Sequence, residues 1–454
     1  MRLNRIHPRV LKKTMFGLPT TATAPFCPSE VVGTVAVSPT APLWRKIVRF
    51  AGPGLLVSIG YMDPGNWATD IQAGSQFGYS LLFVVILSSL AAIVLQCLSM
   101  RLGIATQKDL AVHCREQYSP RTGKTLWFFA ELSIIACDVA EVLGSALAFK
   151  LLFGVSLVTG VLLTAFDTII VLGLKGKGFR QIEAIILGLI MTISVCLFAQ
   201  LLFIKPDWSA VAAGAIPSLK ALAGQEPLYL AIGILGATIM PHNLYLHSSI
   251  VQARVVENND RSRQQAIWFS RLDTIFSLMV ALVINVAILV LAGAAFHTSG
   301  SHVSVEIDEA FHLLDPIAGT AIAGILFGVA LLASGQSSTF TGTIAGQVIM
   351  DGFLKIKIPC WQRRLITRSL ALVPALIGVI LLGEHSVGRL LVMSQVVLSL
   401  QLPFAMYPLI KLTSRRDLMG SFANSLTTSV LAWALFVIIS AANIWLVLQA
   451  FGMQ

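Results

Sequence analysis

The chain has 454 residues, of which 56% are hydrophobic and only 12% charged, and its mean hydropathy is +0.80. That composition excludes a disordered chain, a nucleic-acid binder and almost every soluble enzyme. The net charge of +10 points to a partner only once the cations are located, because helical membrane proteins gather Lys and Arg in their cytoplasmic loops.

In chain order, residues 1–43 mix Arg2, Arg5, Arg9, Lys12 and Lys13 with a Thr/Pro/Ser stretch. They hold no apolar run of signal-peptide length and read as a flexible cytoplasmic tail. A helix needs about 20 apolar residues to cross a bilayer. Runs of that order predict eleven spans, near 47–77, 79–102, 126–149, 152–174, 182–204, 228–252, 273–296, 318–350, 366–383, 387–411 and 428–450. With the N-terminus inside, the cytoplasmic side collects all of the 32 Lys and Arg except Lys150, Lys205, Lys220 and Arg389. The opposite side carries Glu306, Asp308, Glu309 and Asp315 in its loop at 297–317. This asymmetry supports the span count, a cytoplasmic N-terminus and a C-terminus outside. The charge is therefore topological, and no nucleic-acid partner is expected. Six cysteines (Cys27, Cys97, Cys114, Cys137, Cys196, Cys360) show no CxxC and no paired spacing, so they read as reduced, mostly lipid-embedded thiols.

Two spans share an oddity. The first is interrupted at Asp63-Pro64-Gly65-Asn66 and the sixth at Met240-Pro241-His242-Asn243. Proline lacks an amide hydrogen and clashes with the preceding turn, so each segment should break in mid-membrane and leave carbonyls unpaired. Interrupted segments at corresponding places in two halves mark a transporter's binding site. Spans one to five and six to ten then form inverted repeats, and the eleventh is an addition. An Asp near the bilayer centre costs at least about 2.5 kcal/mol on insertion scales, so Asp63 needs a partner or a task. If the breaks face each other, Asp63 offers a hard anionic oxygen, Asn66 an amide oxygen, Ala237 a freed carbonyl and Met240 a thioether sulfur. Oxygens alone would suit magnesium or calcium; the sulfur points to a divalent transition metal, with manganese and iron(II) fitting a mostly oxygen site.

Third-span residues Glu131, Asp138 and Glu141 stand seven and three apart, which places them on one helix face. Such a file is costly unless it lines a proton-relaying path or pairs with a cation such as Arg368 of the ninth span, and the two readings are compatible. His242 and His247 add titratable groups that would not share a face of a regular helix. The half-helices should swing about Gly65 and the Pro241 region, with small residues such as Gly52, Gly54, Gly233 and Gly236 allowing close contact in closed states. Neither GxSxG nor HExxH is present, so no enzyme activity is expected.

Gly60-Tyr61-Met62-Asp63-Pro64-Gly65-Asn66-Trp67, Gly236-Ala237-Thr238-Ile239-Met240-Pro241-His242-Asn243-Leu244, the run from Gly335 to Gly342 and the run from Ser394 to Phe404 together resemble the Nramp family. The resemblance spans roughly residues 45–450. It implies proton-coupled transport of divalent metals, chiefly manganese import in bacteria, and an inverted-repeat fold like that of sodium-coupled amino-acid transporters. Its implied metal site is Asp63, Asn66, the Ala237 carbonyl and Met240, joined by a tenth-span glutamine, Gln395 or else Gln401, with Gln395 favoured. It further implies a separate proton route through the residues matching Glu131, Asp138, Glu141 and Arg368. Magnesium-transporting relatives depart from the pattern at metal-contacting positions, whereas this chain keeps Asn66 and Met240. An ion-coupled amino-acid carrier on the same fold is the other alternative, and Asp63 has the wrong sign for a substrate carboxylate.

The expected organisation is an all-α integral membrane protein: a tail (1–43), a first repeat (44–205), a second inverted repeat (206–412) and the eleventh helix (413–454). It should lie in the cytoplasmic (inner) membrane as a monomer. Metal ions and protons are its cargo and coupling ion, and no cofactor is expected.

Overall fold

The computed structural model describes residues 33, 35–36, 42–166, 179–257, 259–297, 307–318, 322–355, 360–383 and 387–450. Most of the tail, the end of the expected fourth span and parts of the loops at 175–181, 297–317 and 351–368 lie outside these residues.

After a two-residue strand β1 (Val35–Ala36), the helices are α1 (Leu43–Phe50), α2 (Pro53–Gly60), α3 (Pro64–Phe77), α4 (Leu82–Thr106), α5 (Leu110–Gln117), α6 (Pro120–Phe153), α7 (Leu157–Thr164) and α8 (Phe179–Ile204). They continue with α9 (Trp208–Gly214), α10 (Gln225–Ile239) and α11 (Pro241–Ile250), then β2 (Arg254–Val255) and α12 (Asp260–Ala292). The last are α13 (Ile307–Ala318), α14 (Ala323–Leu354), α15 (Cys360–Leu382), α16 (Val387–Ser414), α17 (Arg416–Met419) and α18 (Leu426–Ala450). Among the described residues eight helical segments are long and apolar enough to cross a bilayer, counting α10 and α11 as one, and Ile366–Leu381 of α15 is a shorter apolar stretch. The chain is thus an all-helical, multi-pass membrane protein.

Burial sorts these segments. Within the 18-residue apolar stretch of Gln225–Ala253, 83% is buried inside the protein, against 22% for the corresponding stretch of the last helix, so α10–α11 is central and α18 lies against the outside of α16. Exposed apolar side chains such as Phe198, Phe276 and Leu426 form the surface that lipid covers. Around the centre, α12 packs on α2, α3 and α4, while α14 and α16 both pack on α6.

Two features differ from the sequence expectation. The first span does not begin at residue 47: α1 is a separate amphipathic helix, because Gly52 adopts φ 137° and Pro53 opens the next helix. Only glycine enters that conformation readily, and a Cβ there would strike Glu183. The second difference lies in the segment expected to be a flexible tail. Val35–Ala36 pairs in parallel with Arg254–Val255, too short a run for any periodicity to have signalled it.

Candidate metal site between the broken helices

At the first break α2 ends at Gly60 and α3 starts at Pro64. Asp63 caps α3, its Oδ1 accepting the Asn66 backbone N–H at 2.9 Å and Asn66 Nδ2 at 2.6 Å. The exposed carbonyls do not stay unpaired as expected. Tyr61 O accepts from Asn285 Nδ2 at 2.9 Å, and Met62 O accepts from Ser334 Oγ at 2.5 Å and Trp67 Nε1 at 3.2 Å. Neighbouring helices α12 and α14 thus supply donors that no water could supply inside a bilayer.

At the second break Met240 alone separates α10 from α11 and caps nothing. Pro241 stands four residues after Ala237 and removes the amide that would have bonded the Ala237 carbonyl in a continuous helix. Asn66 Nδ2 takes that carbonyl instead, at 3.1 Å. One amide group therefore bridges a carboxylate on the first broken helix and a carbonyl on the second. Asp63, Asn66, Ala237 and Met240 are all buried, none more than 1% exposed.

The two glutamines of α16 are separated by the structure. A Cβ on Gly65 would lie 1.6 Å from Gln395 Nε2 and 3.0 Å from Asp63 Oδ2. Gly65 is thus less a free pivot than the gap through which these two groups approach. Asp63 Oδ2 and Gln395 Oε1 are buried acceptors with no hydrogen-bond partner among the described residues. Gln401 is buried beside Tyr245 instead. Among the described residues no group of three or more His, Cys, Asp and Glu could hold a metal, so a cation here would meet one carboxylate and neutral donors.

The two glycines expected to allow close packing in α10 are approached to different degrees in this conformation. A Cβ at Gly233 would make ordinary contacts of 3.4 and 3.8 Å, but at Gly236 it would lie 2.3 Å from the Gln395 carbonyl and 2.7 Å from Ser399 Cβ. The close crossing of α10 on α16 is therefore at Gly236.

The titratable residues fall into two files. His247 Nδ1 lies 2.9 Å from Gln96 Oε1, and Gln96 Nε2 donates to the Tyr61 hydroxyl at 2.8 Å, returning to the first break. His242 Nε2 lies 3.8 Å from Cys137 Sγ, which is 3.6 Å from Glu141 Oε1. The two histidines thus face different partners, as the helix geometry predicts. Asp138, Arg368 and Asp63 are the charged neighbours of buried Glu141, and Asp138 and Glu141 both approach Gly342 of α14. Arg368 Nη2 also donates to Thr164 O at 3.3 Å. Glu131, lower on the same helix, is only half-buried.

Sequence reasoning missed Cys137, which is buried between His242 and Glu141 and not set in lipid. It also missed Asp70, fully buried on α3 with Oδ2 unpartnered. Its signal was available: Asp70 stands seven residues after Asp63, the interval that singled out Glu131 and Asp138. Gln96 gave no such signal, since an isolated glutamine has no periodic partner.

Interrupted helices meeting at a buried polar centre in an all-helical membrane protein define the class of secondary transporters. Within that class the chain belongs to the Nramp family, whose model (Natural resistance-associated macrophage protein-like) matches residues 54–449. The divalent metal cation transporter MntH of Ralstonia nicotianae is 66% identical over 432 residues, covering 95% of this chain and 98% of that one. The structure of the Eremococcus coleocola manganese transporter, in complex with an aromatic bis-isothiourea substituted compound, matches with a TM-score of 0.85 at 38% identity, covering 91% of this chain and 89% of that one. MhsT in complex with L-phenylalanine matches with a TM-score of 0.56 at 16% identity, covering 88% and 98% respectively, a likeness of fold alone.

Proposed function

We propose that this protein imports divalent transition metal ions, manganese foremost and iron(II) as well, across the cytoplasmic membrane in symport with protons. The observation that carries the reading is the bridge from Asp63 through the Asn66 amide to the Ala237 carbonyl, beside Met240. An NH₂ group held between a carboxylate and a carbonyl stands where a cation would stand. To admit the metal the amide turns and presents its oxygen, so Asp63, Asn66, Ala237 O and Met240 become ligands, with the Gln395 amide beside Asp63 able to turn its own oxygen to the ion. The sulfur favours manganese or iron(II) over magnesium and calcium, which gain little from a thioether. The relatives' names agree with this substrate class and with a transporter that is not an enzyme.

The rest of the scheme is eleven spans in two inverted repeats plus one helix, a cytoplasmic N-terminus and a monomeric unit alternating access about the two breaks. Protons would leave Asp63 when the dication arrives, because a neutral carboxyl suits the empty buried site and an ionised one suits the metal. Glu141, Asp138, Glu131 and Arg368 would carry them inward. The contacts of Cys137 with Glu141 and His242 join this file to the sixth-span break, and His247 serves the other file.

The test is metal uptake by proteoliposomes under an imposed pH gradient, with internal pH recorded. Manganese entry accompanied by acidification is expected, with magnesium and calcium poorly transported. Equal uptake of calcium, or manganese flux that leaves internal pH untouched, would remove respectively the site assignment and the coupling.

A further inference from the structure

We propose that the start of α12, together with α1, forms a binding site for an anionic phospholipid of the cytoplasmic leaflet. A cavity of about 600 Å³ opens there, lined by Lys46 of α1 and by Arg261, Gln264, Gln265 and Trp268 of α12, with Phe269 among its apolar walls. No carboxylate lines it. The Lys46 ammonium and the Arg261 guanidinium have no ion-pair partner among the described residues. Two cations and two amide groups are the donors a phosphodiester needs, and a free inorganic anion would gain nothing from the apolar walls.

The surroundings are those of a membrane interface. On α1, Leu43, Trp44, Ile47 and Val48 are exposed and share one side, while Arg45, Lys46 and Arg49 occupy the other. Such a basic amphipathic helix lies in the headgroup layer. It is fixed to α12 by Phe50, stacked on Phe269 with centroids 5.4 Å apart and planes 10° apart. Trp44 and Trp268, both exposed, sit where indole rings accumulate between headgroups and chains.

The same helix provides for the acyl chain. Beyond Trp268, the exposed side chains of Leu272, Ile275 and Phe276 continue down α12. They lead into an apolar groove of about 550 Å³ lined by Phe198 of α8 and by Phe276 and Met279 of α12. Trp268 and Phe276 are about 12 Å apart along the helix axis. A basic headgroup cavity at one end and an apolar groove at the other fit a lipid and not a soluble phosphate. Because α1 leads through Gly52 into α2, the bound lipid would anchor the cytoplasmic end of the first broken helix.

Native mass spectrometry of the full chain, titrated separately with dioleoyl phosphatidylglycerol and dioleoyl phosphatidylcholine, tests this. The phosphatidylglycerol should be retained about thirtyfold better, as expected for two basic contacts at the surface. The pair K46Q/R261Q should abolish that preference, and R121Q/K124Q, an equal charge loss at the exposed start of α6, should preserve it. Should the first pair fold poorly, Q265E places a repelling charge in the cavity and should lower retention by itself. Soluble glycerol phosphate at the same concentration should not displace the lipid. Equal retention of both lipids, an undiminished preference in the cavity variants, an equal loss in the α6 variant or displacement by glycerol phosphate would each overturn the proposal.

Discussion

The two breaks solve the same problem with opposite means. At the first, three residues leave the helix, Asp63 caps the restart, and α12 and α14 send Asn285 and Ser334 to the freed carbonyls. At the second, a single methionine leaves the helix and no side chain caps the restart. Its freed Ala237 carbonyl has Asn66 of the first break as a donor. The first break is held by its surroundings, and the second is held by the first. Their polar groups therefore belong to one site, and disturbing the first should disturb both.

The largest effect should come from Asp63→Asn, which removes the anion and alters the cap together. A hydrogen bond to a charged group contributes about 1.5–3 kcal/mol, so manganese uptake should fall about 100-fold and metal-driven acidification should vanish. Retention of coupled acidification in proteoliposomes would show that the carboxylate is not the meeting point. Next, Gly236→Val should cut uptake about tenfold or more, because overpacking costs about 1–3 kcal/mol and the added carbons meet the Gln395 carbonyl and Ser399. Gly233→Ala should transport normally, and an inverted order of these two variants would contradict the crossing point described above.

A third comparison separates the ligands. Met240→Ala should retain manganese uptake within about tenfold but lose discrimination against calcium, since a hard ion never used the sulfur. Competition assays with the two ions read this directly, and preserved discrimination would return Met240 to mere packing. On α16, Gln395→Ala should raise the KM for manganese more than Gln401→Ala does. The smallest effect belongs to the supports of the first break: Asn285→Ala should lower thermal stability by about 1–3 kcal/mol, the cost of a buried carbonyl left unsatisfied, and Ser334→Ala by less, because Trp67 Nε1 still donates to Met62 O. Unchanged unfolding temperatures would mean that the break does not lean on α12 and α14.

Much of this arrangement was legible in one dimension. Pro64 and Pro241 announced both breaks because a missing amide hydrogen is a local property, and Pro241 already named Ala237 as the carbonyl it would free. Asp63 stood out because charge within an apolar run is costly wherever it falls. The donors to Tyr61 O and Met62 O were not legible. Asn285 and Ser334 lie more than two hundred residues from them, and neither carries a pattern pointing to the first break. Cys137 read as an inert thiol because its meaning depends on His242, which sits on another helix. The displaced start of the first span was misread for a different reason. The apolar residues of α1 extend the hydropathic run of the next helix, and only the turn at Gly52 and Pro53 divides them.

The sequence alone determined that this chain is a membrane protein with two interrupted helices, because hydrophobicity, proline geometry and the cost of a buried charge act through each residue and its immediate neighbours. Tertiary structure decided which of two glutamines stands beside Asp63, which of two glycines marks the closest helix crossing, and which side chains satisfy the opened backbone. Those choices turn on distances of a few ångströms between residues far apart in the chain, and they exist only once the helices have packed.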